Sequence, residues 1–153
     1  MRKSLLRGRV AASREKISVM ISTELAVALK DAGLVWHPQS GDRFQLDEPE
    51  FEADIFTVSD MTIEPRTYPT GQILAFNGTT EWALDSVALE DALWLPREDQ
   101  LRELLRGTFR GLRRLADTHE VEIVVRDEHR VFSHPEPADA YALAVLALLE
   151  RLA

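Results

Sequence analysis

The sequence predicts an α+β fold: a single domain over residues 20–153, with an antiparallel sheet packed against three to four helices, preceded by a basic extension at residues 1–19. Three observations carry that reading. Apolar residues recur at helical spacing in three stretches, 21–32, 97–117 and 138–152. Short apolar or β-branched runs separated by Pro, Gly and Asp fill residues 34–76 and return at 121–133. Strand-like and helix-like stretches are grouped in order rather than alternating, which favours an antiparallel sheet over a βαβ array.

The first helix rests on Ile21, Leu25, Ala28, Leu29 and Ala32, with Ser18 or Ser22 to cap its start and Gly33 to end it. The runs 34–36, 44–46, 54–58, 61–63 and 72–76 read as strands of a meander. His37-Pro38, Ser40-Gly41-Asp42, Glu48-Pro49, Glu64-Pro65 and Pro69-Thr70-Gly71 supply the turns. Asn77-Gly78-Thr79-Thr80 reads as a turn opening a short segment through Trp82 and Val87, and Leu93-Trp94-Leu95 as a strand fragment. Pro96 suits the first turn of the next helix, 97–117, whose apolar stripe is Leu101, Leu104, Leu105, Phe109, Leu112, Leu115 and Ala116. Two glycines, Gly107 and Gly111, interrupt it. Each costs a helix about 1 kcal/mol relative to Ala, so they either admit a close neighbour or end the helix early. Val121–Arg126 and Arg130–Ser133 read as a hairpin about Asp127-Glu128, and Pro135 and Pro137 introduce the last helix. Its run Tyr141–Leu149 is apolar all round, so it lies centrally in a core or under a partner, and a homodimer through 138–152 stays open.

Charge separates the ends from the body. Residues 1–19 carry six basic side chains (Arg2, Lys3, Arg7, Arg9, Arg14, Lys16) against Glu15, and the remainder carries 12 basic against 25 acidic residues. A body with a net charge of −13 lacks the basic surface that nucleic acid requires, so no nucleic-acid partner is expected. No stretch is long and apolar enough to span a membrane, and residues 1–19 lack the apolar run of a signal peptide, so a cytoplasmic location is the expectation. Without cysteine there is no disulfide, cysteine-ligated metal or thiol nucleophile.

Chemistry-bearing motifs are sparse. The segment Gly71–Thr80 lacks the lysine and spacing of a phosphate loop, and no nucleophile elbow occurs. Neither a metal nor a cofactor is expected. His119, His129 and His134 flank one hairpin and can converge, although without metal-ligand spacing. Asp60, Glu64 and Asp85 are the carboxylates available for acid–base work with a divalent cation. Trp36 and Trp94 fit a core. The most unusual feature is arginine. Arg102, Arg106, Arg110, Arg113 and Arg114 fall opposite the leucine stripe of helix 97–117, on one face of an otherwise acidic protein.

Three strings, Ser40–Phe44, Phe76–Asp85 and Ala92–Arg102, resemble a group of small actinobacterial proteins labelled as pilus-assembly proteins of the CpaE type. The resemblance spans most of residues 20–153. It implies a free-standing bacterial domain near pilus or secretion machinery. The ATPases that define that type carry a P-loop, and no position here matches its lysine or glycines. The function expected is therefore a non-enzymatic binding or accessory protein with a protein partner at Arg102, Arg106, Arg110, Arg113 and Arg114. The alternatives are a small-substrate or metal-dependent enzyme using Asp60, Glu64 or Asp85, and an immunity-type protein whose acidic surface neutralises a basic partner.

Overall fold

A computed structural model of the chain describes residues 20–47, 54–59, 63–76 and 86–152. Its elements run α1 (Thr23–Asp31), β1 (Arg43–Leu46), β2 (Phe56–Thr57), β3 (Ile63–Tyr68), β4 (Gly71–Phe76), β5 (Ser86–Ala88), β6 (Ala92–Leu95), α2 (Glu98–Leu105), β7 (Phe109–Leu115), β8 (Thr118–Val125), β9 (Glu128–His134) and α3 (Pro137–Leu152). The fold is mixed α+β. Among the described residues, however, there are three three-stranded antiparallel sheets in place of the one expected, with three helices. No helix of the described chain is long and apolar enough to cross a membrane. Contacts gather into two compact units. One is built from residues 36–95, and the other from the stretches on either side of it in sequence.

The 36–95 unit holds two sheets, ordered β2-β1-β6 and β3-β4-β5, and no α-helix among its described residues. Each sheet has one apolar face, and the two cover each other, so helices are not needed to bury them. Phe44, Leu46, Phe56 and Ala92 from the first meet Ile63, Leu74, Phe76 and Val87 from the second in one cluster with Trp36 and Val58. Phe56 and Phe76 meet edge to face at 5.8 Å, and Trp36 stacks on Trp94 at 6.3 Å. Trp36 is a core residue as expected, the half-buried Trp94 packs against that core, and Trp82 lies outside the described residues.

Two local expectations change. Glu64-Pro65 is no turn. It lies inside β3, an edge strand, where proline's missing N–H leaves no ladder bond unmade. Leu34-Val35-Trp36 is no strand, because Trp36 turns inward and donates Nε1 to the buried carboxylate of Asp42 at 3.0 Å. The same Oδ2 accepts Gln39 N–H at 3.0 Å. Gly41, at φ 94°, donates its N–H to Val58 O, and Val58 N–H returns to Asp42 O. One aspartate thus closes the loop 36–42 and fastens it beside β2.

The second unit packs α1, α2 and the sheet β7-β8-β9 around α3. Ser22 caps α1 by accepting Leu25 N–H, and Gly33, at φ 104°, ends it. Ala138, Ala140, Tyr141, Ala142, Ala144 and Val145 of α3 are buried, and Leu146 to Leu149 are half-buried. That helix touches α1, α2, β8 and β9, which accounts for its all-round apolar sequence within one chain. Leu101, Leu105, Val121 and Ile123 complete this core.

The helix expected over 97–117 ends at Leu105. Arg97, following Pro96, is the cap, and its N–H reaches Gln100 Oε1 at 3.0 Å. Beyond Arg106–Thr108 the chain becomes β7, with Leu112 and Leu115 exposed rather than lining a stripe. The β8–β9 hairpin turns on Arg126-Asp127, both at positive φ, as a two-residue loop of this kind requires.

The Asp42 pin generates a stability prediction. Asp42→Ala leaves the indole N–H of Trp36 buried without an acceptor and removes two charge-assisted hydrogen bonds. The variant should lose about 2–3 kcal/mol in urea unfolding, whereas Asp42→Asn, which keeps an acceptor oxygen, should lose less.

Candidate functional site

The five arginines singled out from sequence do not share a helix face. Arg102 lies on α2, Arg106 ends it, and Arg110, Arg113 and Arg114 lie on β7. In a strand, neighbouring side chains point to opposite faces, so Arg113 and Arg114 diverge. Arg113 pairs across the ladder with Glu120, whose other carboxylate oxygen accepts Ser133 Oγ–H at 3.4 Å. This gives a charge-paired row across all three strands. Glu120 also holds the Arg113 guanidinium even further toward its protonated form.

Arg114 lies on the other face in register with His119, which is itself in register with His134. These three form a second row, on the same face as the buried Val121 and Ile123. His119 must carry its proton on Nδ1, because it lies 2.9 Å from Pro135 O, which only accepts. His134 has the opposite tautomer. Its Nδ1 accepts Glu136 N–H at 3.0 Å, which leaves the Nε2 proton facing Asp139 Oδ2 at 3.6 Å. The buried Asp139 also accepts Ser22 N–H at 2.7 Å, tying the start of α1 to the start of α3. His119 and His134 therefore converge as the sequence allowed. His129 does not: it pairs with Glu122 at 2.9 Å, several rows away toward the opposite end of β9. Among the described residues, no group of three or more His, Asp or Glu is arranged to hold a metal ion.

The other acid–base candidates yield no constellation. Glu64 Oε1 accepts both Arg66 Nε at 3.2 Å and Nη2 at 3.0 Å on the surface of β3. Asp60 and Asp85 lie outside the described residues.

The corner between α2 and β7 is the most informative part of the arginine segment. Arg102 lies close enough to the buried Tyr141 for its positive charge to favour the phenolate. Arg110 sits at the bulge between Phe109 and Gly111. Its Nη1 donates to Gly107 O at 2.6 Å and Phe109 O at 3.1 Å. Arg106 adopts φ 50°, ψ −134°. That is outside the left-handed helical well, where Arg126 and Asp127 have the φ that their turn demands. A non-glycine residue so placed costs about 1–3 kcal/mol. A cation at the C-terminal end of a helix returns only about 0.3–1 kcal/mol from the dipole. The exposed guanidinium of Arg106 makes no hydrogen bond or ion pair with a described residue, so no contact there offsets the remainder.

Sequence reasoning found the arginines but missed their backbone setting. The available signal was Arg106-Gly107 followed by Thr108, a turn-prone string inside a helical pattern. It also missed Asp42 and Asp139, the latter an acid in the first turn of an apolar helix. No protein-family model, curated protein or solved structure matches this chain.

Tyr141 supplies a titration prediction. Burial pushes its phenol above the usual value, and Arg102 opposes that shift without cancelling it. The unfolded chain then loses this proton near pH 10 while the folded chain keeps it. The contribution to stability is thus complete below about pH 10 and is lost as pH rises through the folded value. Phenolate absorbance in a Tyr68→Phe variant, whose one remaining tyrosine is Tyr141, should show ionisation above pH 10. Adding Arg102→Gln should move the midpoint higher still.

Proposed function

We propose that this chain is a non-enzymatic binding protein that engages an anionic protein partner through the arginine-bearing segment 102–114, centred on the turn from α2 into β7. The observation that carries the reading is the uneven use of these arginines. Arg113 is spent on Glu120 and Arg102 on Tyr141. Arg106 and Arg114 are exposed and have no acidic partner among the described residues. In a body with 25 acids against 12 bases after residue 19, abundant carboxylates leave these cations unpaired. Solvated guanidinium groups add little stability of their own, so stability gives no reason for them. The resemblance in residues 40–44, 76–85 and 92–102 extends the proposal to a partner within pilus-assembly or secretion machinery. An enzymatic reading around Glu64 gains nothing from the geometry, because that carboxylate is engaged by Arg66.

The test is Arg106, Arg110 and Arg114 changed together to Gln. The variant should keep its circular dichroism spectrum and melt within a few degrees of the parent. Retention on immobilised polyglutamate, which for the parent should weaken with added salt, should be lost. Unfolding of the variant would assign these arginines to holding the fold. Unchanged retention would make them a solvated surface and refute the proposal.

A further inference from the structure

We propose that the α2–β7 corner is the gripping point for an acidic segment of a partner protein, and that Arg106 is kept in its strained backbone for that contact rather than for folding. The inference rests on the reading above and names the residue and the ligand chemistry. Glycine would occupy φ 50°, ψ −134° without penalty. A stability-driven position would favour glycine here, yet it holds an exposed arginine with no partner among the described residues. The next residue is Gly107, and a Cβ built there would meet nothing within 4 Å, so an approaching chain finds the corner open.

Arg110 completes the grip. Its guanidinium is held on Gly107 O and Phe109 O through a single nitrogen, Nη1. Nε and Nη2 remain for a ligand, and the ordering entropy of a long side chain is already lost before binding. Two forks about one turn match carboxylates spaced along a chain. A single small anion gains little on an exposed, salt-screened corner, and nucleic acid meets a chain of net charge −8. A multivalent acidic peptide is the class of ligand that remains.

The experiment uses the full-length chain with its six basic residues before Met20 changed to Gln, so that they do not compete for the probe. The probe is fluorescent hexaglutamate, followed by anisotropy at low salt, with thermal melting in parallel. Arg106→Gly should raise the melting temperature by about 2–4 °C. It should weaken hexaglutamate binding by about tenfold. Arg106→Lys retains strain and charge but loses the fork, so it should weaken binding without raising the melting temperature. If Arg106→Gly binds like the parent, or melts lower, the inference is overturned. The broader reading survives that result provided the triple glutamine variant still loses binding. If the parent chain does not bind hexaglutamate, both fail. Tighter binding of inorganic phosphate or a DNA oligonucleotide than of hexaglutamate would overturn the choice of ligand.

Discussion

The second unit depends on the need of β8 for two partners. Thr118–Val125 is the central strand of its sheet, and Val121 and Ile123 are wholly buried against the helices. Its backbone N–H and C=O groups point to both sides, and each one left unpaired in a buried setting costs about 1–3 kcal/mol. β9 follows directly through a two-residue turn and satisfies one side. The other side falls to the residues just before it, which reach it through the tight turn Ala116-Asp117. The helical preference of 109–115, already weakened by Gly111, is worth a few tenths of a kcal/mol per residue. A ladder of paired residues outweighs it, and the helix stops at Leu105.

That constraint explains why part of the fold was legible in the sequence and part was not. Helices whose ends are marked by local chemistry were readable: Ser22 and Gly33 bound α1, and Pro137 opens α3. The hairpin of β8 and β9 was readable because both strands are local. The fate of 106–115 was not local. Leu101, Leu104, Leu105, Phe109, Leu112 and Leu115 fit a helical period, and only the demand of β8 decides against it. The sheet count in the 36–95 unit was hidden for a similar reason. Runs of two to six residues announce strands but not which face of which sheet covers them, and that depends on contacts between sheets such as that of Phe56 with Phe76.

The same switch rewrote the candidate site. On a helix the five arginines form one electrostatic surface. On a helix, a corner and a strand they acquire different neighbours, and their roles separate. Arg113 joins a cross-strand row, Arg102 meets a phenol, and Arg110 folds back on its own backbone. Composition shows only that the segment is rich in arginine, and backbone geometry distinguishes a guanidinium engaged by a neighbour, such as Arg113, from one with no partner among the described residues, such as Arg106. Arg106 stands out through the difference between its conformational cost and the return from the helix dipole, and neither quantity is visible in a letter sequence.

Two of the strings quoted from the sequence, Ser40–Phe44 and Ala92–Arg102, consist largely of loop, cap and core residues, whereas residues 77–85 of the third lie outside the described residues. In Ser40–Phe44, Gly41 supplies a left-handed turn, Asp42 is the buried pin for Trp36, and Phe44 is fully buried. In Ala92–Arg102, Ala92, Leu95 and Leu101 are core residues, and Gln100 holds the start of α2. Those positions specify loops, caps and packing, so a likeness confined to them transmits architecture. Arg106, Arg110 and Arg114 lie beyond the last string, in the segment where helix gives way to strand. On the proposed reading, a protein sharing the strings but placing glycine at the corner would keep the fold and bind an acidic partner less tightly. On that same proposal, the corner rather than the strings is where binding would be gained or lost without a change of fold.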